Sequence, residues 1–115
     1  MTNIVLTEQQ RSVLLDTLSR YAPPIERVDA YGSRADGTSR RGSDIDLVLA
    51  GPIDWTMLAR IHGALEESYL SIFADVAAYD LLSDGGFRNR LLETAKPLFD
   101  RAELVAARDA ASRAA

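Results

Sequence analysis

From Ile45 to Leu82 the hydrophobic pattern changes period twice, and that change limits the fold more than any other feature of the chain. Ile45–Ala50 (Ile-Asp-Leu-Val-Leu-Ala) reads as a well-buried strand closed by Gly51-Pro52. Asp54 is then placed to cap a helix whose apolar stripe is Leu58, Ile61, Leu65 and Tyr69. Ile72 to Leu82 returns to alternation, with Phe73, Asp75, Ala77 and Tyr79 on one face and Ala74, Val76 and Ala78 on the other. Two strands separated by a helix of this length suit a right-handed parallel crossover.

The flanking segments add a strand and more helices. Thr7 followed by Gln10 resembles a capping box, and Val13, Leu14, Leu18 and Tyr21 recur behind it at helical spacing until Pro23-Pro24. Arg27–Tyr31 is a short strand that ends at Gly32, and residues 33 to 43 are polar and Gly-rich, with room for one or two helical turns opening at Ser33. Asp84-Gly85-Gly86 turns into a helix carrying Phe87, Leu91 and Leu92. Pro97 breaks that helix, and Asp100 is placed to cap a last one with Leu104 and Val105. The order αβ(α)βαβαα predicts an α/β (α+β) fold, a small mixed sheet of three or so strands flanked by helices. A domain over residues 1–99 with a helical tail over 100–115 is the expected division. Beyond Ala106 the tail is mostly Ala and polar residues, so its end should fray unless a partner covers it.

Composition closes off several chemistries. A chain of 115 residues supports one core, and 47% apolar with 26% charged residues is ordinary for a folded soluble domain. Without cysteine there is no thiol catalysis, disulfide or Cys-ligated zinc, and the single histidine, His62, excludes multi-His metal sites. Lys96 is the one lysine, and nothing around it recommends Schiff-base chemistry. A net charge of −4 argues against a general nucleic-acid binder. No apolar run is long enough to span a bilayer, and Met1-Thr2-Asn3-Ile4 lacks the basic start of an export signal, so a cytoplasmic protein is expected.

Chemistry concentrates between Tyr31 and Leu47. Gly32-Ser33 lies where a strand ends and a helix begins, where glycine lets the backbone approach a ligand and free N–H groups with a hydroxyl suit an anion. Asp44 and Asp46 are two apart on a strand, so both carboxylates point to one face. Bare, they repel by roughly 1–3 kcal/mol at an effective dielectric near 20, a liability that a divalent cation turns into a site. Mg²⁺, which prefers hard oxygen ligands and leaves room for phosphate oxygens, fits best. Taken singly, Ser33 reads as a helix cap and the aspartates as turn residues; together they read as a site. Arg34, Arg40 and Arg41 border the loop as possible phosphate partners or, for the latter two, solvated loop charges. His62 reads as a packed or surface residue, Trp55 as a packing residue, Tyr31 and Tyr79 as core, and Glu66-Glu67 as a solvated helix face.

Gly32-Ser33, ten residues, then Asp44-x-Asp46 resembles the signature of the DNA polymerase β-like nucleotidyltransferase superfamily. The apolar-Gly-Ser-Arg-Ala opening and the short chain look most like its minimal nucleotidyltransferase branch, with the resemblance running from Tyr31 to about Phe99. It implies that Ser33, with Gly32, Arg34 and Ser43, contacts the nucleotide, and that Asp44 and Asp46 hold metal with a third carboxylate from a later strand. Asp75 and Asp80 are the candidates. In a parallel crossover Asp75 begins its strand beside Asp44 and Asp46, whereas Asp80 sits about 17 Å farther along; Asp75 is taken, with an edge-strand aspartate of no special role as the other reading.

The resemblance further implies two Mg²⁺ ions, ATP as substrate, and a partner, because the superfamily's larger members carry a second domain for the acceptor. In the minimal branch that partner is a helical HEPN protein, and the pair resembles a toxin–antitoxin system in which AMP is transferred to a tyrosine of the HEPN ribonuclease. This chain does not resemble the HEPN side: that motif, Arg followed after four to six residues by His, would need Arg at Trp55, Thr56 or Met57. Two alternatives stand beside it. One is transfer to a small molecule or RNA with a partner subunit; the other is a non-catalytic nucleotide-binding antitoxin that acts by occlusion.

Overall fold

A computed structural model describes residues 4–114; Met1 to Asn3, part of the segment read against an export signal, and Ala115 at the end of the tail lie outside the described residues. Helix α1 (Glu8–Ser19) opens with the expected capping box: the Thr7 hydroxyl accepts the Gln10 N–H and the Gln10 Oε1 accepts the Thr7 N–H, both at 3.0 Å. Strand β1 (Arg27–Tyr31) leads into a one-turn helix α2 (Ser33–Asp36), then strand β2 (Ile45–Ala50), helix α3 (Trp55–Glu66) and strand β3 (Ala74–Ala78). The chain ends with α4 (Gly85–Thr94), β4 (Lys96–Asp100) and α5 (Arg101–Ala114).

The four strands form one mixed sheet in the order β3-β2-β1-β4. β2 and β3 are parallel, the outcome of the α3 crossover, and β1 pairs antiparallel with both β2 and β4. Val28, Ala30, Ile45, Leu47, Leu49 and Ala78 from the strands join Leu14, Leu18, Ile61, Leu65 and Leu104 from α1, α3 and α5 in the main core. Burying each Leu or Ile there contributes about 1.5–3 kcal/mol. A smaller cluster of Val48, Tyr79 and Leu91, packed by Tyr31, Ala77 and Phe87, seats α4. Val48 and Ala77 are the next residues along the strand face that carries Asp46 and Asp75, so α4 covers the sheet beside the carboxylates.

Four expectations are corrected. Lys96–Asp100 is a strand, not a break between helices: Pro97 lies opposite Asp29, where the β1–β4 register slips, and on an edge strand its missing N–H costs little. The third strand is five residues long, and Tyr79–Leu81 is a 3₁₀ turn. Helix α3 stops at Glu66, which leaves Tyr69 outside its stripe and 93% exposed. Trp55, expected to pack, is 67% exposed at the opposite end of α3.

Helix α5 is anchored at several points. Leu104 is fully buried in the main core, Arg11 pairs with Glu103 at 2.9 Å, and the Arg108 guanidinium donates to the Ala22 carbonyl at 2.8 Å. Asp100 caps the helix by accepting the Glu103 N–H at 2.8 Å. Among the described residues, no helix is long and apolar enough to cross a membrane.

Candidate nucleotide and metal site

The site grows from the end of β1. Gly32 has φ 73° and ψ −158°, a conformation that side-chain-bearing residues rarely adopt. A Cβ built on it would run into the Asp46 carboxylate, so the missing side chain also lets the loop backbone lie directly against β2. Beyond it the chain winds tightly: the Gly32 carbonyl accepts the N–H groups of Ala35 and Asp36, and the Ser33 carbonyl those of Gly37 and Thr38, all at 3.0 Å.

The rest of the loop is held by Arg34, which is 4% exposed. Its Nε donates to the Ser43 carbonyl at 2.8 Å, Nη1 to Val5 at 2.7 Å and Nη2 to Arg41 at 3.1 Å. A planar fork reaching three carbonyls is a task for arginine rather than lysine. These bonds commit the Arg34 guanidinium to backbone, two carbonyls of the loop and one of the segment before α1. The Ser43 hydroxyl accepts the Arg40 N–H at 2.8 Å and so closes the turn that leads into Asp44.

Strand register assembles the carboxylates. Tyr31, Asp46 and Asp75 are successive partners across β1, β2 and β3, and form one row on the sheet. Asp44 precedes Asp46 by two residues and belongs to the same side. Burial first, then the charges of Asp75 and Asp44, push the Asp46 carboxyl above its usual range. Tyr31, half-buried, is pushed up to about 12 by burial and then by Asp46 and Asp75, so its phenol stays protonated at neutral pH. Asp80 lies in the 3₁₀ turn beyond β3, away from this row.

Asp44 and Asp75 also line an open cleft of about 670 Å³, bordered by His62, Glu66, Leu70 and Phe73. His62 Nδ1 is 3.6 Å from Glu66 Oε1. Sequence reasoning left His62, Glu66 and Phe73 out of the site. The signal was available: in a β2–α3–β3 crossover the last turn of α3 returns to the end of the sheet where β2 and β3 begin.

Among the described residues, no three of His, Asp or Glu converge tightly enough to hold a metal as they stand. The donor set nonetheless fits Mg²⁺ in kind. It offers hard carboxylate oxygens on one face, and the like charges at Asp46 are ones a divalent cation would offset. Glycine-turned backbone beside paired carboxylates, at one end of a mixed sheet, is an arrangement suited to phosphoryl transfer.

The comparisons narrow that class. The chain belongs to the polymerase beta nucleotidyltransferase family, whose pattern matches residues 14–104. Solved structures share the fold. A toxin–antitoxin complex with AMP-PNP superposes with a TM-score of 0.65 at 16% identity, covering 90% of this chain and 88% of that one. Two mutants of a toxin–antitoxin MntA–HpeT complex give TM-scores of 0.64 and 0.63 at 14% and 16% identity. The first covers 90% of this chain and 87% of its own, the second 96% and 89%. A search of curated proteins finds no match to the sequence.

Proposed function

We propose that this nucleotidyltransferase is a cytoplasmic antitoxin that transfers AMP from ATP to a tyrosine of a HEPN-type ribonuclease toxin. The observation that carries the reading is the row Asp46–Asp75 with Asp44 beside it, set against the left-handed turn at Gly32. Support for the acceptor comes from the structural neighbours, which are toxin–antitoxin complexes, one of them with AMP-PNP.

In this reading Gly32, Ser33 and Ser43 hold the triphosphate, and Arg34 positions the loop through its three carbonyl bonds. Asp44, Asp46 and Asp75 would hold two Mg²⁺ ions, which would supply charge neutralisation at the phosphates and acidify the attacking hydroxyl. The tyrosine oxygen bonds to the α-phosphorus, the bond from that phosphorus to the bridging oxygen breaks, and pyrophosphate leaves. The phenolic proton passes to solvent. Positioning and electrostatics provide most of the acceleration in such transfers.

The test is to incubate the protein with Mg²⁺, α-labelled ATP and lysate of its host, beside a variant carrying both Asp44→Asn and Asp46→Asn. Label on one protein, at tyrosine and only with intact aspartates, is the expected result. Label on RNA or on a small molecule would assign a different acceptor.

A further inference from the structure

Phe73 is 79% exposed, yet its backbone is fixed: its carbonyl accepts the Ile45 N–H at 2.9 Å, which extends the β2–β3 ladder by one step. Continuing the parallel register places it beside Asp44, and a period of two puts it on the same side as Asp75. The ring therefore stands in water at the lip of the cleft that Asp44 and Asp75 line. An aromatic side chain buries 150–250 Å² when covered, so leaving one uncovered beside reactive groups forgoes a large stabilisation.

Sheet order says which reactant covers it. β2 lies between β1, whose end carries Gly32-Ser33, and β3, whose start carries Phe73 and Asp75. Entering and leaving oxygens sit on opposite sides of the phosphorus in an in-line displacement. With pyrophosphate held at Gly32-Ser33, the attacking oxygen approaches from the β3 side. The charged groups of the cleft there are Asp44, Glu66 and Asp75, with His62 alone able to carry positive charge. With Asp44 and Asp75 assigned to the cations, Glu66 is the anionic group left in the lining, and it disfavours an RNA backbone relative to a neutral phenol borne on protein.

We propose that Phe73 is the acceptor platform: the ring of the tyrosine to be modified packs against it while its oxygen faces Asp75. This rests on the transfer function proposed above and adds the route of acceptor entry and a specificity-determining residue. The site it assigns takes a phenol borne on protein.

The test compares wild type, Phe73→Ala and Phe73→Tyr, with Trp55→Ala as a second largely exposed aromatic, at the far end of α3, for control. Each is assayed for thermal stability, for affinity toward a fluorescent ATP analogue with Mg²⁺, and for AMP transfer at varied concentrations of the acceptor protein. The expected result is that Phe73→Ala keeps its melting temperature and nucleotide affinity but raises the acceptor KM about tenfold, by loss of ring–ring packing. Phe73→Tyr restores KM, and Trp55→Ala leaves it unchanged. A wild type that labels a protein, with Phe73→Ala unaltered in KM, overturns the platform alone. Lowered affinity for the ATP analogue would assign the ring to the nucleobase and overturn it too. A wild type that labels no protein overturns the transfer function and the platform together.

Discussion

Asp46 is held against its own interest, and replacing it should stabilise the fold while ending function. Burial and the charges of Asp75 and Asp44 raise its pKa, so the folded chain binds that proton more tightly than the unfolded chain does. The stability this provides is present at low pH and is lost as pH rises through the folded-state value, above the usual carboxylate range. Neighbouring strands run about 5 Å apart, and two charges at that spacing repel by roughly 3 kcal/mol at an effective dielectric near 20, which solvent at this half-open face reduces to a net cost of about 1 kcal/mol. Asp46→Asn removes the charge at nearly constant shape. In the presence of a chelator it should raise the melting temperature by about 4 °C at neutral pH. The gain should vanish in acid, where wild-type Asp46 is already protonated. Mg²⁺ should then invert the order, stabilising wild type and leaving Asp46→Asn nearly unmoved. Scanning fluorimetry across pH, with and without Mg²⁺, reads all three effects. Equal or lower stability of the variant at neutral pH without metal would refute the reasoning, as would the same Mg²⁺ response in both proteins.

Other consequences follow from the geometry. Gly32→Ala places a side chain at φ 73° and against the Asp46 carboxylate; it should cost about 1–3 kcal/mol in urea unfolding and abolish nucleotide binding. Arg34→Met leaves the carbonyls of Val5, Arg41 and Ser43 without their donor and should destabilise by about 2–4 kcal/mol in the same assay, with Arg34→Lys recovering only part. Leu104→Ala should cost about 2–5 kcal/mol if α5 is integral to the core, whereas a separable tail would lose almost nothing.

The elements nearest the site were the most legible, because there local pattern and tertiary role agree. Arg27–Tyr31 and Ile45–Ala50 carry strand patterns and end in residues that allow only a turn, and both occur over the residues expected. Asp75 could be preferred to Asp80 because a parallel crossover fixes which strand ends meet, and the register indeed pairs Asp75 with Asp46. β4 was hidden by Pro97, whose tolerance depends on lying at an edge beside a register slip, a fact set by β1 rather than by the segment itself. Arg34 was named as a nucleotide contact, but its loop-holding bonds were hidden for a related reason. Its acceptors are backbone carbonyls at positions 5, 41 and 43, brought around it by the closed loop and by the segment before α1, and nothing in their side chains marks them. Tyr69 continues the α3 spacing, but the helix ends before reaching it, with the Ser68 hydroxyl donating to the Leu65 carbonyl at 2.6 Å.

The central claim is that three aspartates on one sheet face direct AMP to a protein tyrosine. Mass spectrometry of the proposed HEPN-type partner, after incubation with the wild-type chain, Mg²⁺ and ATP, tests it most directly. The account predicts the mass of one or more AMP groups on a tyrosine, and none after incubation with any of Asp44→Asn, Asp46→Asn or Asp75→Asn. An unmodified partner that is nonetheless neutralised, equally well by wild type and by all three variants, would contradict it.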